Sequence, residues 1–129
     1  GKLVFPERIE RLGNRSFEGC HSLKNIELPN ALREIGDQCF MWCDIRSLDF
    51  TNCKNLRSIG ASAFSGCQYI TEILIPEGVE KVGSWCFEYI GQLRKISLPS
   101  TLTEIGDSLF HGTFPENFKD IYLCERSTS

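Results

Sequence analysis

The stretch ITEILIPEGVEKVGSWCF, residues 70–87, decides the fold of this chain. Its apolar residues alternate at Ile73 and Ile75, and this period of two predicts a short β-strand. Pro76 then ends the strand, because proline cannot donate a ladder hydrogen bond. A second apolar pair follows, which we interpret as a second short extended segment on the opposite side of a coil.

The same pattern recurs along the chain in one phase. The recurrent phenylalanines are Phe17, Phe40, Phe64, Phe87 and Phe110, and the recurrent glycines are Gly13, Gly36, Gly60, Gly83 and Gly106. Both series advance in steps of 23, 24, 23 and 23 residues. Proline follows the first strand in most units, and Thr51 takes its place in the third. Three recurrences in a shared phase indicate a tandem array.

A single coil of this length cannot bury its apolar side alone, so neighbouring coils must stack. Stacking predicts a parallel sheet in which the phenylalanines form a continuous aromatic spine. The recurrent glycine predicts either a positive φ or a close approach by the neighbouring coil. The short segment before the phenylalanine predicts a turn or one 3₁₀ turn.

We predict a single domain over residues 1–124, with units near 3–22, 23–44, 45–69, 70–92 and 93–117, a final strand at 118–123 and a tail at 125–129. The third unit has extra residues at Thr51–Cys53, where we expect a small bulge. Because the array begins inside a unit, we expect it to continue in a longer protein or to pair its ends with another chain.

The motif L-x-x-I-x-L-P-x-x-L-x-x-I-G-x-x-x-F-x-x-C, found from Leu23 to Cys43, resembles the BspA-like, or Treponema pallidum-type, leucine-rich repeat. The resemblance covers roughly residues 3–123 and departs from the motif at Thr51–Cys53, at Ile90 and Thr113, and after Gly112. It implies a leucine-rich repeat solenoid of about five 23–24-residue right-handed coils. It places a parallel β-sheet on the concave face and short turns or 3₁₀ segments elsewhere.

The resemblance also bears on function. Family members are typically secreted or cell-surface proteins implicated in adhesion and protein binding. It therefore implies a secreted or cell-surface location for this chain.

The seven cysteines mostly follow the repeat. Cys20, Cys43 and Cys67 share one position of the unit, and Cys39 and Cys86 share another. We favour free, buried thiols that pack as small apolar side chains. A Cys20–Cys43 or Cys43–Cys67 disulfide between adjacent coils stays open. Outside these positions, Cys53 and Cys124 are predicted to be the most reactive thiols.

Composition and motifs argue against several function classes. The net charge of −3 argues against nucleic acid, which needs a basic surface. No apolar run approaches the roughly 18 residues of a membrane span, so we expect no membrane insertion. The cysteines and histidines lack the paired spacing of a zinc site, and no acid orients a Cys–His pair. We therefore predict no enzyme activity, no metal and no cofactor.

The candidate partner surface lies on the outward positions of the first strands. Its members are Lys24, Arg46, Glu72, Leu74, Arg94, Lys95 and Tyr122. Lys24, Arg46 and Arg94 belong to a basic column that Lys119 continues and Thr71 interrupts. The surface is either an ordinary solvated sheet face with cross-strand charge pairs or a contact surface for a protein or glycan.

A second aromatic group alternates with glycine two residues after the spine. The column reads Gly19, Trp42, Gly66, Tyr89 and Gly112, with Trp85 and Tyr69 nearby. These rings either cover the gaps left by neighbouring glycines or contact a protein or glycan partner.

Two functions remain open from the sequence. The first is a non-catalytic recognition or adhesion module that binds an unidentified protein or glycan through its repeat surface. The second is an architectural spacer within a larger surface protein, with no ligand of its own. The exposed strand edge at Leu3–Phe5 also makes a homodimer by edge or end pairing a side prediction.

Overall fold

The structure is a computed structural model that describes residues 2–113 and 120–123. These residues contain short strands and no helix. The first strands of successive units are β1 (Lys2–Val4), β3 (Asn25–Glu27), β5 (Ser47–Asp49), β7 (Glu72–Leu74), β9 (Lys95–Leu98) and β11 (Asp120–Leu123). The second strands are β2 (Arg11–Leu12), β4 (Glu34–Ile35), β6 (Ser58–Ile59), β8 (Lys81–Val82) and β10 (Glu104–Ile105).

All of these strands pair in parallel, with equivalent repeat positions side by side. Ile26 lies opposite Leu48, and Ile73 lies opposite Ile96. The second strands form one continuous five-stranded sheet in the order β10-β8-β6-β4-β2. The expected solenoid of stacked parallel strands is thereby confirmed. From β2 to β10 it makes about four full turns, slightly fewer than the five coils expected.

The recurrent phenylalanines form a stacked column through the core. The centroid distances along the column are 5.3, 5.4, 6.2 and 5.9 Å from Phe17 to Phe110. Phe40, Phe64 and Phe87 are fully buried, whereas the rings at the two ends of the column are half-buried. Because each ring contacts the next, the column ties every described coil to its neighbours.

The segment around each spine phenylalanine is a turn without 3₁₀ helix. Each such turn contains two left-handed residues four positions apart, for example Gln38 at φ 56° and Trp42 at φ 61°. Alternate N–H groups then reach the next coil, as from Phe40 to the carbonyl of Ala63 at 2.8 Å. The turns therefore satisfy their backbone groups between coils.

Four of the five recurrent glycines, Gly36, Gly60, Gly83 and Gly106, are required by close approach and not by positive φ. A Cβ built on Gly60 would lie 2.6 Å from the backbone nitrogen of Asp37 in the preceding coil. Gly60 itself does not have a positive φ, in contrast to Gly66 at φ 78°. Of the two explanations open from the sequence, the neighbouring backbone is the correct one.

The six described cysteines are free thiols, so neither inter-coil disulfide forms. The Cys43 thiol donates a hydrogen bond to the carbonyl of Phe17 at 2.8 Å, and the Cys67 thiol donates to that of Phe40 at 3.0 Å. Thr113 takes the same repeat position and donates to Phe87 at 2.6 Å. A small donor at this position therefore bonds to the phenylalanine carbonyl of the preceding coil, whereas Ile90 fills the same position with an apolar side chain.

The prediction that Cys53 is reactive is wrong. Its loop folds inward and leaves the side chain fully buried, which raises the pKa of the thiol to about 11. Among the described cysteines only Cys20 is half-buried. Cys124, like the predicted tail at 125–129, lies outside the described residues.

Candidate functional site

The first strands do not form one continuous sheet. They form two three-stranded sheets, one in the order β1-β3-β5 and the other in the order β11-β9-β7. No ladder joins β5 to β7, although these strands belong to adjacent coils. We call this interruption the seam.

At the other junctions between first strands, backbone hydrogen bonds join adjacent coils, and the seam lacks these bonds. Between β3 and β5, the N–H groups of Arg46 and Ser47 donate to the carbonyl of Lys24 at 2.7 and 3.2 Å. Between β7 and β9, Arg94 and Lys95 donate to Thr71 in the same way. Within residues 45–76, all of which are described, no equivalent bond joins Thr71 or Glu72 to Arg46.

The seam coincides with the irregular unit. In place of the bulge expected at Thr51–Cys53, the chain makes a turn closed by the Cys53 N–H on the carbonyl of Phe50 at 2.9 Å. The Phe50 ring turns inward and meets the edge of Phe64 at 6.4 Å and 77°. The second-strand sheet continues unbroken through the same coil. The change in unit length is therefore absorbed on the first-strand face alone.

A groove of about 360 Å³ lies over the seam. Its lining residues are Ser47, Leu48, Asp49, Phe50, Thr51, Glu72, Leu74 and Pro76. Leu48 is only half-buried and Leu74 is 40% exposed, so apolar surface on both sides of the seam meets solvent. Exposed apolar side chains framed by carboxylates and hydroxyls are the composition of a contact surface.

The structure places the predicted surface residues on both sides of this seam. Lys24 and Arg46 precede strands of the first sheet, whereas Glu72, Leu74, Arg94 and Lys95 belong to the coils of the second. Glu72 and Lys95 lie opposite each other in the ladder. The backbone of Tyr122 pairs with Ser97, but its side chain, like all of Lys119, lies outside the described residues.

Only part of the basic column is available to a partner. Lys24 lies 3.7 Å from Asp44, which also binds Nδ1 of His21 at 3.2 Å. The hydrogen bond from His21 and the charges of both neighbours lower the pKa of Asp44. Within residues 2–113, no carboxylate lies within ion-pair distance of Arg46 or Arg94.

Arg46 is held in a defined position by an aromatic contact. Its guanidinium lies 5.1 Å from the centroid of the Tyr69 ring, which stands at the end of the same unit, two residues before Thr71 of the next coil. This cation–π contact lies beside the junction at which the backbone bonds are missing. It fixes one exposed positive charge beside the groove.

The sequence did not identify the groove-lining residues Leu48, Asp49, Phe50 and Pro76 as site residues. A signal existed in the unit lengths, since one residue is lost before Leu48 and two are gained before Gly60. Length alone did not say whether the result would be a bulge or a break in the sheet.

Two larger depressions contain no member of the predicted surface. One of about 660 Å³ lies beside Val4 and Pro29, and one of about 570 Å³ follows the second-strand sheet. We therefore place the candidate site at the seam, where predicted residues, unpaired strand edges and exposed apolar surface coincide.

Among the described residues no three side chains from His, Cys, Asp or Glu gather to hold a metal ion. Burial raises the pKa of the Cys39 thiol to about 12 and that of Cys43 to about 11, which suppresses the nucleophilic thiolate. In the same part of the chain, no helix has the length and apolar character of a membrane span.

Comparison with known proteins gives a family match. The model for the BspA type leucine rich repeat region matches residues 1–121 in six copies. No protein of curated function matches the sequence.

Solved structures give the same fold. A leucine rich cell surface protein from Faecalibacterium prausnitzii superposes with a TM-score of 0.86 at 26% identity, over 96% of this chain and 32% of that one. The T. pallidum leucine rich repeat protein gives 0.82 at 24% identity, over 94% and 68%. The pneumococcal vaccine antigen PcpA gives 0.83 at 23% identity, over 96% and 30%. The chain thus spans about a third of the length of the Faecalibacterium protein.

Proposed function

This chain belongs to the BspA-type leucine-rich repeat family, and we propose that it is a non-catalytic recognition module that binds a protein partner at the seam. The single observation that carries the proposal is the break between β5 and β7, which exposes Leu48 and Leu74 around a groove of about 360 Å³. A regular repeat face would present only paired strands at this place.

The chemistry of the seam suits a protein segment whose apolar side chain enters the groove and whose acidic groups reach past the carboxylates of the lining to Arg46 and Arg94 outside it. The apolar side chain enters between Leu48 and Leu74, where its burial supplies most of the affinity. Arg46 and Arg94 then face the acidic groups, which steer the encounter and fix its orientation. Arg46 is already held over Tyr69, so less side-chain freedom is lost on binding.

A cell-surface location supports the same proposal. The Faecalibacterium relative is a cell surface protein, and the PcpA relative is a pneumococcal vaccine antigen. We propose that this chain also works at a cell surface, where a non-catalytic repeat surface would meet proteins of a host or a neighbouring cell.

Panning a random twelve-residue peptide library against the protein tests the proposed site. We expect enrichment of sequences that combine a large apolar residue with Asp or Glu, and saturable binding of a selected peptide. Leu74→Asp and Arg94→Glu should each weaken that binding about tenfold or more, because each removes a groove or charge contact. Ile105→Asp is the matched control, since Ile105 is 52% exposed on the second-strand sheet.

If no sequence is enriched, the architectural spacer is favoured over the recognition module. The spacer is also favoured if Ile105→Asp lowers the affinity for the selected peptides as much as Leu74→Asp does. Both outcomes are read in the same experiment. Urea melts of each variant separate loss of binding from loss of folding.

A further inference from the structure

A second surface, which shares no residue with the groove at the seam, is built from the alternating column of glycine and aromatic residues. Trp42 is 46% exposed and Tyr89 is 42% exposed, although each is a large aromatic side chain. Both have left-handed backbones, with φ 61° and φ 57°. Glycine, which this column uses in the other coils, takes that conformation more easily. The two aromatic residues therefore stand at positions where the backbone conformation favours glycine.

The two rings form a continuous platform. The Trp42 indole lies over Gly66 of the next coil, and any Cβ on Gly66 would collide with the face of its six-membered ring. Tyr89 covers Gly112 in the same manner. The two ring planes differ by 18° and their centroids are 6.1 Å apart, so the rings are offset sideways and nearly parallel.

A polar edge adjoins this platform. The His111 ring meets Tyr89 edge-on at 5.4 Å, and its Nδ1 lies 2.8 Å from Oε2 of Glu88. Ser65 donates to the other carboxylate oxygen of Glu88 at 2.9 Å. The carboxylate is therefore fixed, and the His111 side chain beside it is 58% exposed.

Covering glycine accounts for only part of the platform. With Gly66 and Gly112 covered, Trp42 is still 46% exposed and Tyr89 is still 42% exposed. A protein side chain would also need a pocket to fill. None of the three depressions described above is lined by Trp42 or Tyr89.

We propose that Trp42, Tyr89 and the Glu88–His111 pair form a binding site for the pyranose rings of a neutral glycan. A pyranose presents a flat face of C–H groups that stacks on exposed aromatic rings. Its hydroxyl groups would bond to the carboxylate of Glu88 and the imidazole of His111 at the edge. Two adjoining rings accommodate successive sugars of a chain. This site shares no residue with the seam and does not depend on the function proposed there.

Native-gel affinity electrophoresis in hydroxyethylcellulose, xylan, galactomannan or soluble starch tests this site. Calorimetric titration with cellohexaose, xylohexaose, chitohexaose and maltohexaose then gives the affinity. We expect at least one probe to bind, and Trp42→Ala and Tyr89→Ala each to weaken it about tenfold or more, as loss of one stacked aromatic ring does for other flat ligands. Trp42→Phe keeps a ring and should keep most of the affinity.

Trp85→Ala is the matched control, because Trp85 is 45% exposed and left-handed at φ 56° but belongs to another column. In Trp85→Phe, Trp42 becomes the only tryptophan, and its fluorescence should change saturably with the bound sugar. The proposal is overturned if no probe binds, if Trp85→Ala weakens binding as much as Trp42→Ala does, or if the selected peptides and not the sugars require Trp42.

Discussion

Replacing Phe64 with alanine measures how far the spine holds the solenoid together. Phe64 is fully buried, stacks on Phe40 at 5.4 Å and on Phe87 at 6.2 Å, and meets the edge of Phe50 at 6.4 Å. Burial of the ring contributes about 1.5–3 kcal/mol. The cavity left behind brings the expected loss to about 3–5 kcal/mol. This is a large share of the 5–15 kcal/mol that is typical of a whole domain.

Urea unfolding followed by circular dichroism gives the loss directly. Phe64→Leu is the control that keeps most of the volume, and we expect it to cost about 1–2 kcal/mol through lost aromatic contacts. Phe110→Ala should cost about 1–3 kcal/mol, because Phe110 is only half-buried. Equal losses at Phe64 and Phe110 would refute the reasoning, since a stacked array is weakened most where a coil has neighbours on both sides.

Three further predictions concern glycine substitutions, the hydrogen bonds of Thr113 and the buried thiols. Gly60→Ala should cost about 1–3 kcal/mol in urea melts because its Cβ meets the backbone of the preceding coil, whereas Gly91→Ala, where a Cβ meets nothing within 4 Å, should be neutral or stabilising. Thr113→Val should lower the free energy of unfolding by about 2–4 kcal/mol, because it removes both the hydrogen bond to the Phe87 carbonyl and the acceptor that the Ile90 N–H uses at 2.9 Å. Thr113→Cys should recover part of that free energy. Burial raises the pKa of Cys39 and Cys43 above the ordinary value of 9.0, to about 12 and about 11, so their protonated forms favour the fold. That stability is complete below pH 9 and is lost as the pH rises through 11 and 12; melting temperatures should fall over this range, and less steeply when both cysteines are alanine.

The sequence predicts the repeat architecture well because every coil repeats the same constraints. Ile26 and Ile73 take equivalent inward positions, and the recurrent phenylalanines meet in one column. The third unit shows where this reasoning ends. Two added residues could have formed a bulge, but burying Phe50 against Phe64 draws the turn inward. That outcome depends on packing between coils, which spacing along one chain does not encode.

The burial of Cys53 has the same origin. A cysteine in an insertion predicts an exposed thiol only if the insertion leaves the core, and this one does not. The cysteines that share a repeat position show a second feature that the sequence did not predict. Their recurrence indicates a small side chain, but it does not reveal the hydrogen bonds that Cys43 and Thr113 donate to phenylalanine carbonyls.

The positions that leave the repeat pattern are the ones that can distinguish this chain from other stacks of the same coil. Inward residues must match their neighbours to keep the array folded, so they carry little freedom for specificity. The seam arises where one unit changes length, and the aromatic platform arises where Trp42 and Tyr89 replace the glycine of alternate coils. The second-strand sheet stays continuous through both changes. A stack that tolerates such local departures can acquire separate binding surfaces without interrupting that sheet, which is why these two places, and not the regular strands, are where recognition is expected.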